Sequence, residues 1–171
     1  MPGSVIGKEL NLGYEGNVAR SVDAIITNRF VKPSDATAIQ FGDAVVLNSD
    51  NTYSRFGAGG TFAAFAGVAV REVKQALDYT SNQGEYRPGQ PCDVIERGTV
   101  TVACNVGTPT AGGAVYLRVA VNAAIPNGVV GKFEAAADGT NTVQITSAQW
   151  KTGKLDANRV AELTLLTRNK A

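Results

Sequence analysis

Alternation of apolar and polar positions is clearest between Val94 and Cys104. Val94, Glu96, Gly98, Val100, Val102 and Cys104 share one side of an extended chain; Ile95, Arg97, Thr99, Thr101 and Ala103 share the other. Small or apolar residues facing Thr and Arg describe a half-buried antiparallel strand. The preceding Arg87-Pro88-Gly89-Gln90 is turn chemistry, because Pro88 presets φ and Gly89 accepts positive φ. Gly98, inside the strand, marks a bulge or a close backbone approach. Asn105, Gly107, Pro109, Gly112 and Gly113 then turn the chain, and Val115 to Val119 reads as the returning strand. The stretch 86–119 is therefore expected to be a β-hairpin, with the rest of the chain arranged around it.

The flanking segments follow the same grammar. Residues 39–47 open a folded body, and residues 61–73 read as strands. Phe62, Phe65, Val68 and Val70 keep no single period, which predicts a bend at Gly67. Residues 71–77 fit a helical turn or a departing strand, and residues 78–90 read as an exposed polar loop. Further strands are predicted around Phe133, from Val143 to Trp150, and from Ala161 to Leu165. The expected fold is all-β: a sandwich or barrel-like body of short antiparallel strands with an extended N-terminal arm. The arm covers residues 1–37 and the body 38–171. Gly42-Asp43-Ala44-Val45-Val46-Leu47 echoes Gly112-Gly113-Ala114-Val115-Tyr116-Leu117, so the body divides into two related units, about 38–85 and 86–171, or the echo is chance. Residues 1–37 have two readings. One is a leader with an edge strand at 23–31; the other is an ordered arm along a partner's surface, anchored by Tyr14, Ile25, Ile26 and Phe30.

Composition narrows the function. The 171 residues are 44% hydrophobic and include 19 Gly, suited to one domain of short strands and tight turns. Sixteen basic against 15 acidic residues leave a formal charge of +1, without the basic excess that nucleic acid demands. No apolar run approaches the ~20 residues that span a bilayer, and the N-terminus lacks a basic region followed by an apolar block. The expectation is synthesis in a cytoplasm, with no nucleic-acid or membrane partner.

Histidine is absent, which removes the usual general base, the Ser-His and Cys-His pairs and the commonest zinc ligand. The loop Gly57-Ala58-Gly59-Gly60-Thr61-Phe62 has Phe62 where the dinucleotide fingerprint needs its third Gly, and no Gly-Lys-Ser/Thr end. Asp43 with Asp50, or Glu72 with Asp78, could pair only through the fold, and neither Asp50-Asn51 nor Asp138-Gly139-Thr140-Asn141 has calcium-loop spacing. Cys92 and Cys104 bracket an extended stretch of about 35–40 Å, far beyond the ~7 Å reach of a disulfide. The expected inventory is no catalytic residue, no cofactor and no metal site.

The order of these segments resembles the capsid decoration, or structural cement, proteins of tailed bacteriophages. The carrying residues are Gly16-Asn17-Val18-Ala19-Arg20, Phe41-Gly42-Asp43-Ala44-Val45-Val46-Leu47 and Phe65-Ala66-Gly67-Val68-Ala69-Val70-Arg71-Glu72-Val73. They continue in Tyr86-Arg87-Pro88-Gly89-Gln90-Pro91-Cys92-Asp93-Val94, Gly98-Thr99-Val100-Thr101-Val102, Gly112-Gly113-Ala114-Val115-Tyr116 and Ala161-Glu162-Leu163. The resemblance implies a virion protein on the outer capsid surface, a homotrimer at three-fold and local three-fold sites. There it would staple subunits of the major capsid protein against internal pressure. It places coat or neighbour contacts among Tyr14, Arg20, Ile25, Ile26, Arg29 and Phe30. The competing readings are a tail-tube or head-fibre subunit, a carbohydrate-binding β-sandwich and, least favoured without His, a hydrolase.

Overall fold

Strand β7 (Pro91–Ala103) is the axis of the fold, because three strands pair along it. The computed structural model describes residues 11–71 and 84–168; the expectations for residues 1–10, for Glu72 with Asp78, and for most of 71–83 lie outside these. Along one edge of β7 runs β1 (Val18–Phe30), from Val18 opposite Val100 to Phe30 opposite Pro91. Along the other edge lie β5 (Phe65–Ala69), opposite Val94 and Ile95, and β11 (Val160–Leu165), opposite residues 98–103. Two further runs of antiparallel strands extend from these. One is β5 to β3 (Ala44–Leu47) to β4 (Tyr53–Arg55); the other is β11 to β10 (Thr142–Trp150) to β8 (Ala114–Arg118) to β9 (Phe133–Glu134). Both runs curl back. Val31, just after β1, bridges to Tyr53, and Cys104, just after β7, bridges to Phe133. A short pair, β2 (Ile39–Gln40) with β6 (Glu85–Tyr86), caps the first run. The fold is all-β, as its residue pattern predicts.

Curling encloses two apolar clusters. Val31, Ile39, Phe41, Val45, Tyr53, Ala66, Ala69, Tyr86, Cys92 and Val94 form one. The larger holds Phe56, Phe65, Val68, Ile95, Val100, Val102, Leu117, Phe133, Ile145, Trp150 and Leu163 among others. Strands β3 and β5 lie between them: Ala44 faces the larger cluster and Val45 the smaller, Phe65 the larger and Ala66 the smaller. A strand covered on both faces shows a continuous apolar run and not alternation, which is why residues 65–70 are all buried.

Three expectations need correction. The stretch 86–119 is not a hairpin: β7 and β8 are separated by β11 and β10, since the C-terminal hairpin inserts between them. Strand β7 is not half-buried either; Thr99 and Thr101 are 5% and 2% exposed, because the curl covers both faces. Nor does its alternation run unbroken. Ile95 shares a core with Val100 and Val102, positions of opposite parity. Ile25 pairs with Arg97 but Ile26 with Ile95, so a bulge at Glu96 supplies the one-residue shift, close to Gly98 with its φ of +121°. The irregular period of residues 62–70 has the same cause. Val45 pairs with Gly67 but Val46 with Phe65, so Ala66 is the extra residue, and Phe65, Val68 and Val70 reach one core.

Cys92 and Cys104 are both free and buried, in different clusters. Burial pushes the Cys104 thiol up to about 11 and the Cys92 thiol further still, so neither is a nucleophile at neutral pH.

Candidate functional site

Among the described residues, the exposed large apolar side chains nearest the N-terminus lie on β1 or just before it. Tyr14, Val22 and Phe30 are 72%, 102% and 59% exposed. Tyr14 sits beside Thr101, whose hydroxyl donates to its carbonyl at 2.6 Å, and Phe30 sits opposite Pro91. Backbone bonds from Gly16 to both Thr101 and Arg71, and from Val70 to Asp93, show that β7 bends sharply between the two positions. Val22 stands fully exposed for a local reason. Between Arg20 opposite Thr99 and Ile25 opposite Arg97, β1 spends five steps against two on β7, so its backbone arches outward. Gly98 lies beneath that arch, where an added Cβ would stand 3.1 Å from the Ala24 Cα.

The other expected contact residues separate by side. Arg20 is exposed, with Glu162 its carboxylate neighbour at 3.8 Å. Ile25 is partly buried opposite Arg97, and Ile26 packs into the larger core. Arg29 is committed inward. Its guanidinium lies 5.2 Å over the Tyr53 ring, donates to the Tyr53 hydroxyl at 2.6 Å and to Asn51 at 2.7 Å, and pairs with Glu96 at 3.4 Å. Glu96 is 4% exposed and also accepts from Arg168. Burial, opposed by Arg29 and reinforced by Glu96, raises the Tyr53 hydroxyl to about 12. Sequence reasoning did not single out Val22, because a valine between Ser21 and Asp23 shows no sign that the strand arches there.

Two other charged groups hold the ends of the curl. Arg118 and Glu134 are fully buried, with Arg118 Nη2 donating to Glu134 Oε2 at 2.8 Å and Nε to Oε1. Arg118 Nη1 reaches Asp138 at 2.8 Å, which also accepts from Asn122 at 2.9 and 3.0 Å. Asp43, fully buried after β2, meets Lys132 at 2.8 Å and Arg55 at 2.9 Å, joining the start of β3 to the approach of β9. The Arg55 Nε–H is not directed along that line, so this contact is an ion pair and not a hydrogen bond. Burial pulls the Lys132 ammonium down, but Asp43 and then Glu15 outweigh it and leave it raised. Among the described residues no three His, Cys, Asp or Glu side chains are placed to hold a metal ion.

These charges set a pH window. The Asn122 amide first, and Arg118 next, hold Asp138 below its ordinary 3.8; Thr52 lowers Asp50 likewise. A lowered carboxyl contributes stability above its unfolded value, lost as pH falls through the folded one; a raised lysine contributes below its unfolded 10.5, lost as pH rises through the folded one. Thermal melts should therefore give a plateau between about pH 5 and 10, falling at both ends, and Asp138→Asn should flatten the acid limb. An acid limb unchanged in that variant would deny Asp138 its part.

The described residues thus form a curled β body tied by buried ion pairs, with exposed apolar side chains on β1 and in the loops. The sequence matches the model of the XM1 gp53 minor capsid protein family over residues 3–165, and the chain belongs to that family of phage structural capsid proteins. The fold recurs in a chain of the solved capsid of Myoviridae phage XM1, with a TM-score of 0.69 and 18% identity over 95% of this chain and 96% of that one. No curated protein matches the sequence.

Proposed function

We propose that this minor capsid protein binds the outer surface of the assembled head. In this reading it sits as trimers at three-fold and local three-fold positions and holds neighbouring subunits of the major capsid protein together. The observation that carries the proposal is the exposure of Val22 and Phe30 on β1 and of Tyr14 just before it, joined to membership of a capsid family. Soluble proteins scatter such residues singly, but three within the seventeen residues 14–30 suit a contact surface. Three copies acting together multiply modest contacts, so slow release needs no large single interface. A protein that binds the lattice, and not free coat subunits, stabilises the shell by mass action.

Strand β1 covers a whole edge of β7, so deleting it would disturb the body, and a point substitution separates folding from binding. Val22→Asp should leave the unfolding midpoint within about 0.5 kcal/mol of the parent. It should also weaken co-sedimentation with mature, undecorated heads of the matching phage by about tenfold, the equivalent of ~1.4 kcal/mol. Saturation at the number of three-fold positions supports the trimer. Wild-type protein that is folded and fails to bind heads would instead favour a tail-tube or head-fibre subunit, read by electron microscopy as rings or fibres.

A further inference from the structure

Beside the β1 arch lies a hollow of about 340 Å³. Arg20, Val22 and Asp23 come from the arch, Arg97 from β7, and Lys151 and Leu166 from the ends of β10 and β11. Its apolar rim is Val22 and Leu166, the latter 44% exposed. At its wall the hydroxyls of Thr99 and Thr164 stand 3.2 Å apart across the paired strands. Three cations and one carboxylate line it. The carboxylate, Asp23, is held by Arg97 at 2.9 Å. Arg20 has only the long contact to Glu162 and is 62% exposed, and Lys151 has no ion-pair partner among the described residues. The hollow thus carries unspent positive charge next to exposed apolar surface.

We infer that this hollow docks an acidic, extended segment of the capsid partner, with an apolar side chain meeting Val22 and Leu166 and carboxylates meeting Arg20 and Lys151. The inference rests on the capsid-surface reading and names the partner chemistry that the surface fits. Opposite charge across a partly exposed rim fixes register and speeds encounter. A second copy of this chain fits poorly. Among the described residues every carboxylate except that of Asp35 already meets a cation, an amide or a hydroxyl of its own chain. Glu15, Asp43, Glu96 and Glu134 are held by buried or half-buried cations. Asp93 meets Asn28, Asp50 meets Thr52, and Asp156 meets backbone amides. Glu85 pairs with Arg87, and Asp138 with Arg118. The described surface therefore offers no free acidic run to fill its own hollow. Nucleic acid needs a longer track of cations than three.

The test is co-sedimentation of the full chain with mature, undecorated heads at low and high salt. The variants are Arg20→Glu with Lys151→Glu, and Arg87→Glu as an exposed control in the turn before β7. At low salt the double variant should bind about tenfold more weakly, with the gap narrowing as salt screens the contact, while the control binds as the parent does. Heads whose carboxylates have been amidated with carbodiimide and glycinamide should bind the parent as weakly as intact heads bind the double variant. Equal binding of parent and double variant overturns the inference and leaves the capsid reading standing. A double variant that instead changes its own oligomeric state, with head binding intact, overturns it in favour of a self-interface. If the folded parent binds no heads, the capsid-surface reading falls and takes this inference with it, an outcome read from the parent alone.

Discussion

Arg118→Met should destabilise the protein by about 3–5 kcal/mol, because it strands the Glu134 carboxylate in a fully buried position. Methionine matches the length of the arginine stem but supplies no donor to either Glu134 oxygen. The loss is of the same order as the whole stability of an ordinary domain, about 5–15 kcal/mol. For a chain of this size it corresponds to a melting temperature lower by roughly 6–20 °C. A further result identifies the cause. Arg118→Met with Glu134→Leu should recover most of the loss, since an apolar pair can replace a buried ion pair where a lone charge cannot. A single variant that melts with the parent would show that the pair holds nothing. The consequence reaches the surface as well. Arg118 positions Asp138, and Asp138 positions Asn122 at the root of the loop that exposes Val121, so the single variant should also loosen that loop.

The residues made the class of fold readable and hid its pairing. Turn chemistry at Arg87-Pro88-Gly89-Gln90 and the apolar runs at 44–47 and 65–70 identify strands because those signals are local. Pairing is set by the whole chain. Nothing near β7 and β8 reports that β10 and β11, encoded some forty residues later, lie between them. Alternation misleads wherever a bulge shifts its phase, at Glu96 in β7, at Ala66 in β5, and between Gln144 and Gln149 in β10. Ile145 and Trp150 share a core although one parity cannot hold both. Exposure along β1 was legible in part. Tyr14, Arg20 and Phe30 are exposed on or beside β1, whereas Ile26 and Arg29 face inward, since apolar and cationic residues look alike in sequence whether they meet a partner or their own core. Lys151 and Leu166 entered only through the fold, which brings the ends of β10 and β11 beside the arch. Buried charge was the least legible of all. Asp43, Arg118 and Glu134 carry no mark distinguishing them from solvated residues until their partners arrive from elsewhere in the chain.

Gly67→Ala should cost about 3 kcal/mol or more, the upper end of what overpacking costs in a well-packed core. No unusual backbone angle is involved, since Gly67 does not have positive φ. The obstacle is space. A Cβ there would lie 2.2 Å from the Ile95 carbonyl oxygen and 2.8 Å from Val94 Cγ1. The oxygen is backbone on the central strand and cannot rotate away, so β5 would have to leave β7. Because β5 lies between the two clusters, that movement loosens both, and the chain should unfold at lower denaturant or fail to accumulate in soluble form. Gly59→Ala provides the contrast. Gly59 has φ of +69° and nothing within 4 Å of its added Cβ, so its substitution should cost only the backbone term of about 1 kcal/mol. Parallel denaturant titrations of the two variants separate close approach from conformational freedom. A Gly67→Ala midpoint no lower than that of Gly59→Ala would mean that β5 and β7 do not approach this closely, and that the two cores are not joined through them.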